Sequence, residues 1–239
     1  MKAVLRTGYG LWCWTVFVPI AIGALVLALP APNVNLRRRI ARRGARTFFW
    51  LAGIQLVVKG LERLPEGVCV VVCNHSSYLD GVVMQAALPP RFAFVIKKEM
   101  VRVPLAGLLL RRLGSEFVER SGGHKGGVDA RRVVKSAAAG QSIAVFPEGT
   151  FDARVGLQRF QSGAFVTAAR AGLPVVPAAI RGARHVLPAE FMLPRRGPIL
   201  VDILEPLAAE GHPRDVARRL RDAARAALLA GVGEPDLDV

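Results

Sequence analysis

The chain has 239 residues, enough for one sizeable α/β core with an appendage but short for two full domains. Lys and Arg total 33 against 18 Asp and Glu, a net charge of +15, while 52% of residues are hydrophobic and the mean hydropathy is +0.34. Basic and apolar together favour a membrane surface over nucleic acid, and no RNP-like aromatic pattern, zinc-finger spacing or helix-turn-helix signal is present.

Residues 11–29 are apolar apart from Thr15, close to the roughly 20 residues that a bilayer crossing needs. The run ends in Leu29-Pro30-Ala31-Pro32 and turns basic without a small-residue cleavage site, so it is read as retained. Arg37, Arg38, Arg39, Arg42, Arg43 and Arg46 then precede Phe48, Phe49, Trp50, Leu51, Ile54, Leu56 and Val57. That pattern suits a helix at the headgroup level, arginines on phosphates and aromatics at the interface. Pro30 and Pro32 break the chain between the two helices. Residues 1–58 are therefore expected to be membrane-anchoring helices, either a single span or a hairpin dipping into one leaflet. Both geometries leave the remainder at the cytoplasmic face.

From Leu61 the pattern alternates. Strands are expected over 68–73, 92–96, 115–119, 143–146, 175–180 and 199–204, and helices over 81–88, 104–113, 128–139, 162–171 and 213–229, with a glycine-rich linker at 121–127. The alternation predicts an α/β domain over 59–231, with a mixed, largely parallel sheet flanked by helices. Residues 232–239 read as a flexible tail. Three cysteines, Cys13, Cys69 and Cys73, are odd in number. The last two, four positions apart on one strand, stand about 13 Å from each other, beyond the reach of a disulfide. Free thiols in a reducing compartment are expected, and buried hydrophobic cysteines are favoured over a metal site with His75.

The first of these strands runs into Cys73-Asn74-His75-Ser76-Ser77-Tyr78-Leu79-Asp80-Gly81. A histidine and a carboxylate thus stand at a strand's carboxyl end, where open α/β sheets place their ligands. Taken alone, the pair is equally a helix cap beside a surface histidine. Chemically, an imidazole can take the proton from an attacking hydroxyl, while a carboxylate on its other ring N–H fixes the tautomer and stabilises the imidazolium. No Gly-x-Ser-x-Gly elbow is present, which weighs against a serine hydrolase. Arg120, at another strand end, can grip a phosphate with its fork, and Glu148-Gly149 offers a carboxylate, to accept from an acceptor hydroxyl, beside a permissive turn. His124, His185 and His212 have no comparable setting and read as surface residues.

Asn74-His75 with Asp80, Gly114 to Arg120, Phe146-Pro147-Glu148-Gly149-Thr150 and Leu173-Pro174-Val175-Val176-Pro177 occur in that order, each read at a strand end. Together they resemble the 1-acyl-glycerol-3-phosphate acyltransferase (lysophosphatidic acid acyltransferase) family of glycerolipid acyltransferases, over about residues 60–205. The resemblance implies His75 as general base oriented by Asp80, with Asn74 in the same block. It implies phosphate binding by Gly114, Phe117 and Arg120, contacts to the acceptor's glycerol phosphate by Phe146, Pro147, Glu148, Gly149 and Thr150, and an acyl-side role for Val176 and Pro177. It further implies acyl-CoA or acyl-carrier protein as cosubstrate, with no bound cofactor and no metal. The acceptor would be a membrane lysophospholipid, 1-acyl-glycerol-3-phosphate first, at the cytoplasmic face of a bacterial inner membrane, and no nucleic-acid partner is expected. Two positions depart from the family: Glu116 replaces a usual apolar residue, and Phe151 follows Thr150 where arginine is common. The second departure keeps a lyso-aminolipid acceptor open, and a non-enzymatic membrane-binding protein on the same fold is the other alternative.

Overall fold

A computed structural model describes residues 2–119 and 132–238. Arg120, the linker 121–127 and the expected helix start at 128–131 lie outside the described residues. Two helices, α1 (Lys2–Ala28) and α2 (Val34–Leu51), precede a seven-stranded sheet. Its strands are β1 (Leu56–Lys59), β2 (Val70–Cys73), β3 (Phe92–Lys97), β4 (Glu116–Val118), β5 (Ser142–Val145), β6 (Val175–Arg181) and β7 (Ile199–Ile203). Between them lie α3 (Asp80–Ala87), α4 (Ala106–Arg112), α5 (132–138), α6 (Gly163–Ala171), α7 (Ala183–Val186) and, last, α8 (Pro213–Val232).

The strand order is β1-β7-β6-β2-β5-β3-β4. Five strands, β6 to β4, run parallel, and β7 joins antiparallel to β6 with β1 parallel beside it. The sheet is thus mixed and largely parallel, as the alternation predicts. Strand β2 occupies the middle because Val70, Val71, Val72 and Cys73 are apolar on both faces, the composition a doubly covered strand requires. Successive side chains point to opposite faces. Val71 and Cys73 join Val83, Met84, Phe48 and Phe49 under α2 and α3, while Val70 and Val72 join Phe165, Leu220 and Leu228 under α6 and α8. Burying such side chains contributes about 2 kcal/mol each.

Helices α1 and α2 form an antiparallel hairpin. Asn33 caps α2 by accepting from the Leu36 N–H at 2.8 Å. Phe17 and Phe48 meet edge to face, and the Tyr9 hydroxyl donates to the Ala52 carbonyl at 2.9 Å. Further contacts pin α1 to the loop after α7, where the Trp14 indole donates to the Met192 carbonyl. The outer face of α1 is bare: Val4, Leu11, Val18, Ile22 and Val26 are all exposed.

Three expectations change here. Residues 54–57, read as the end of the anchoring helix, instead leave it, with Leu56 opening β1, because Gly53 takes a positive φ of 67° and stops α2. The boundary at residue 58 therefore falls inside a strand, and the segment expected to anchor contributes to the sheet's edge. Arg38 and Arg42, expected on lipid phosphates, face the protein; Arg39, Arg43 and Arg46 are exposed. Finally, the tail is held: the Leu157 N–H donates to the Pro235 carbonyl at 2.8 Å, the Leu237 N–H donates to the Leu157 carbonyl at 3.0 Å, Arg184 pairs with Glu234 at 3.1 Å, and Arg225 pairs with Asp236.

Arg38 is only 3% exposed, and burial pulls its pKa below the ordinary arginine value. Its guanidinium donates to the carbonyls of Leu113 (2.8 Å), Arg91 (3.2 Å) and Gly114 (3.4 Å) and to the Gln141 side chain (3.4 Å). Replacing Arg38 with Met orphans these acceptors and should lower the unfolding free energy by about 2–4 kcal/mol. Chemical denaturation in detergent micelles measures this, and an unchanged midpoint would refute the structural role.

Candidate active site

The pairing of β2 with β6 is prolonged past β2 by a side chain. Asn74 donates to the Ile180 carbonyl at 2.9 Å and accepts from the Ile180 N–H at 2.7 Å, imitating one more ladder step. Its amide is thereby consumed by backbone and buried, so Asn74 shapes the strand end and does not face a substrate. The chain then turns, and the turn is gathered on one atom. Asp80 Oδ2 accepts from the Ser76 N–H (2.6 Å), the Ser77 N–H (2.8 Å) and His75 Nδ1 (2.9 Å). Asp80 is fully buried at the first turn of α3, where the helix dipole favours a negative charge. In the tautomer in which Nδ1 donates to Asp80, Nε2 is left as the basic nitrogen.

The ring itself is clamped. Phe146, just past β5, stacks on it at a centroid distance of 4.3 Å, and Phe151 leans against it at 4.4 Å. Tyr78 meets Phe151 edge-on at 4.8 Å. The imidazole remains 18% exposed.

Glu148 holds the same residue from the other side. One oxygen accepts from the His75 N–H at 2.5 Å and the other from the Gln158 N–H at 2.8 Å. Burial pushes its pKa up to about 7; the two N–H bonds oppose the shift, the Asp80 charge adds to it and Arg184 opposes it. Glu148 thereby ties loop to loop, a role that no sequence signal marks.

A base with a fixed tautomer, an oriented ring and a buried carboxylate partner is equipped to deprotonate an alcohol. The family model described as Acyltransferase matches residues 55–181, more than half of the chain and all of this geometry. The chain belongs to the acyltransferase family. Its relatives include the lyso-ornithine lipid O-acyltransferase of Pseudomonas aeruginosa, 28% identical over 96% of this chain and 91% of that protein. Human 1-acyl-sn-glycerol-3-phosphate acyltransferase alpha is 30% identical, over 89% of this chain and 77% of the human one. The crystal structure of the Thermotoga maritima 1-acyl-sn-glycerophosphate acyltransferase superposes with a TM-score of 0.76 at 21% identity, covering 96% and 95% of the two chains. The protein is therefore an acyltransferase enzyme.

In this acyltransferase the expected residues separate into those at the histidine and those elsewhere. Phe146, Pro147, Glu148 and Gly149 form the turn beside His75, closed by the Gly149 N–H on the Phe146 carbonyl, with Thr150 exposed at its rim. Val176 and Pro177, expected at a strand end, lie inside β6 opposite Val71 and Val72, fully buried. Proline is tolerated there because its carbonyl already faces Leu204, beyond the end of β7, so the missing N–H falls past the ladder. Gly114 precedes β4, at the opposite end of the sheet from His75. It has a φ of 67°, and a side chain there would press on Arg38 and Val34 at 3.1 Å. It is a packing glycine. Phe117 lies half-buried within β4, three strands from β2, and Arg120 lies outside the described residues. Glu116, the unusual acid, accepts from Arg132 at 3.0 Å and Ser136 at 2.6 Å, fastening β4 to α5.

Sequence reading overlooked Tyr78, Gln158 and Arg184. Tyr78 sits within the histidine block and was visible there as an aromatic beside the base. Gln158 acts through its backbone, which no sequence signal marks. Arg184 donates to the carbonyls of Asp152 (3.2 Å) and Arg154 (2.7 Å) and pairs with Glu234, steadying the loop that carries Phe151.

Folded Glu148 keeps its proton to about pH 7, whereas an unfolded glutamate, with its ordinary pKa of 4.5, releases its proton at lower pH. Between those values the folded state binds more protons, so raising the pH through this window lowers stability. Relative to Glu148→Gln, the wild-type thermal midpoint should fall from pH 4.5 to about 7 and then run parallel to the variant. A relative rise over that window would contradict the raised pKa.

Proposed function

We propose that this acyltransferase moves a fatty acyl group from a thioester donor, acyl-CoA or acyl-carrier protein, to the free hydroxyl of a membrane lysolipid. The observation that carries the reading is the His75 Nδ1–Asp80 Oδ2 contact of 2.9 Å, with Asp80 locked by two backbone N–H groups. His75 Nε2 takes the hydroxyl proton as the lysolipid oxygen bonds to the thioester carbonyl carbon. The C–S bond then breaks, the imidazolium returns the proton to the departing sulfur, and an ester and a free thiol remain. No enzyme nucleophile or bound cofactor enters this scheme. The acceptor proposed first is 1-acyl-glycerol-3-phosphate, giving phosphatidic acid, in keeping with the human relative's name.

A lyso-aminolipid acceptor is the second reading, and Phe151 favours it. Its ring fills the place beside His75 and Tyr78 where a cation would be needed to meet a phosphate. The relative that spans nearly the whole chain carries a lyso-ornithine lipid name.

The bare apolar face of α1 supports membrane association, and the packing of α1 along α2 supports a hairpin held in one leaflet over a free-standing span. Arg39, Arg43 and Arg46, exposed on α2, support the cytoplasmic leaflet under the positive-inside rule, and an acidic carrier protein would be steered by the +15 charge.

Labelled acyl-CoA and acyl-carrier protein, offered to a panel of lysolipids in detergent, should give a diacyl product with the wild type. His75→Ala should lose about 10²–10⁴-fold in kcat while remaining folded. Retained turnover in the folded variant would remove His75 from the mechanism. In the same panel Phe151→Arg should raise kcat/KM for lysophosphatidate relative to a lyso-aminolipid, and no change in that ratio would remove Phe151 from acceptor choice.

A further inference from the structure

The segment between β3 and α4 carries a second apolar surface that the anchor hairpin does not explain. Met100, Val103, Leu105 and Leu108 are exposed within nine positions, Leu105 at 57%. Exposed Lys97, Lys98 and Arg102 border them, with Glu99 pairing with Lys97 at 3.6 Å and Glu119 with Lys98 at 3.3 Å. Single exposed hydrophobics are ordinary, but an apolar cluster beside a basic rim is what an anionic lipid surface recognises.

The backbone holds this cluster outward. Leu105 has a φ of 60° and a ψ of −52°, and the Ala106 N–H bonds to the Pro104 carbonyl at 2.6 Å. This is the strained form of the γ-turn, which a leucine adopts only when its surroundings enforce it. Gly107 is what lets α4 close on the turn behind it, since a side chain there would stand 2.4 Å from the Val101 carbonyl. Arg111 fastens the same carbonyl at 3.1 Å. A hydrophobic side chain is therefore displayed to the outside by a braced turn.

Its position indicates the partner. Helix α4 packs against α1, which sets the cluster beside the hairpin whose outer face is bare. It also begins at Lys97, the carboxyl end of β3, on the same edge of the sheet as His75 and two strands away, about 10 Å. We propose that residues 98–108 are a second membrane-inserting element whose occupant is the lipid bilayer, and that with α1 it fixes the tilt at which the histidine edge of the sheet meets the headgroups. Two separated contacts define an orientation where one hairpin leaves rotation free. This rests on the membrane-associated reading above.

The full-length protein with Leu105→Cys, labelled with an environment-sensitive fluorophore, tests it in vesicles of phosphatidylglycerol and phosphatidylethanolamine bearing brominated acyl chains. Cys13, Cys69 and Cys73 are buried, so the label goes to the introduced thiol. Val18→Cys on α1 and Asp222→Cys on α8 serve as references. Quenching at 105 and 18 but not at 222 is expected. Quenching at 18 with a water-exposed label at 105 overturns the second element alone, and absence of quenching at both overturns the membrane reading with it. A label at 105 that is shielded only by added acyl-carrier protein assigns the patch to a protein partner and overturns the proposal. In parallel, Leu105→Asp should cut turnover of vesicle-borne lysolipid about tenfold, as expected from losing the partition of one leucine side chain, and leave turnover in detergent unchanged. Equal rates in both settings count against it.

Discussion

One carboxylate oxygen organises the site. Asp80 Oδ2 receives two backbone N–H groups and an imidazole N–H, all within 2.9 Å. The two backbone bonds coil residues 76–79 into the turn that launches α3, and the third sets the tautomer of His75. A local folding device and the orientation of the imidazole are thus the same interaction. Glu148 repeats the device from β5: it reaches across to the His75 backbone and on to Gln158. The histidine is held by its ring nitrogen through one acid and by its main chain through the other, with aromatic rings against its plane. Preorganisation of this kind leaves little motion to be frozen when substrate arrives.

Two buried acids thus hold one histidine. Asp80 gathers three donors on one oxygen at a helix start. Glu148 is pushed up chiefly by burial, which its two backbone N–H bonds only partly offset. The loop it anchors is steadied further out by Arg184 and Arg225, both of which also grip the C-terminal acids. The segment read as a loose tail is thereby part of the frame around Phe151.

Much of the sheet was legible because its strands are short β-branched runs between glycines, prolines and polar turns, and such runs permit few alternatives. Val70 to Cys73 is the clearest case. Strand β1 was not legible: Leu56-Val57-Val58 follows aromatic helix residues, and only the positive φ at Gly53 separates the two, a property of the backbone in space. At the site, His75, Asp80 and the Phe146–Gly149 turn could be read because their roles depend on local order around strand ends. The wider blocks could not be placed by order alone. Gly114 precedes its strand and therefore stands at the wrong end of the sheet, while Val176 and Pro177 lie within theirs. The acid at Glu116, a departure from the family, is explained only once α5 is folded against β4.

The inward turn of Arg38 has a practical corollary. Hydrophobic anchors are routinely deleted to obtain soluble enzymes, on the assumption that anchor and catalytic body are separate modules. Here removal of residues 1–58 would strip most of an edge strand from β7, uncover Phe48 and Phe49's share of the core, and leave the carbonyls before β4 without their donor. A water-soluble form is better sought by replacing Val4, Leu11, Val18, Ile22 and Val26 on the outer face of α1 with polar residues, keeping the hairpin as a permanent wall of the enzyme.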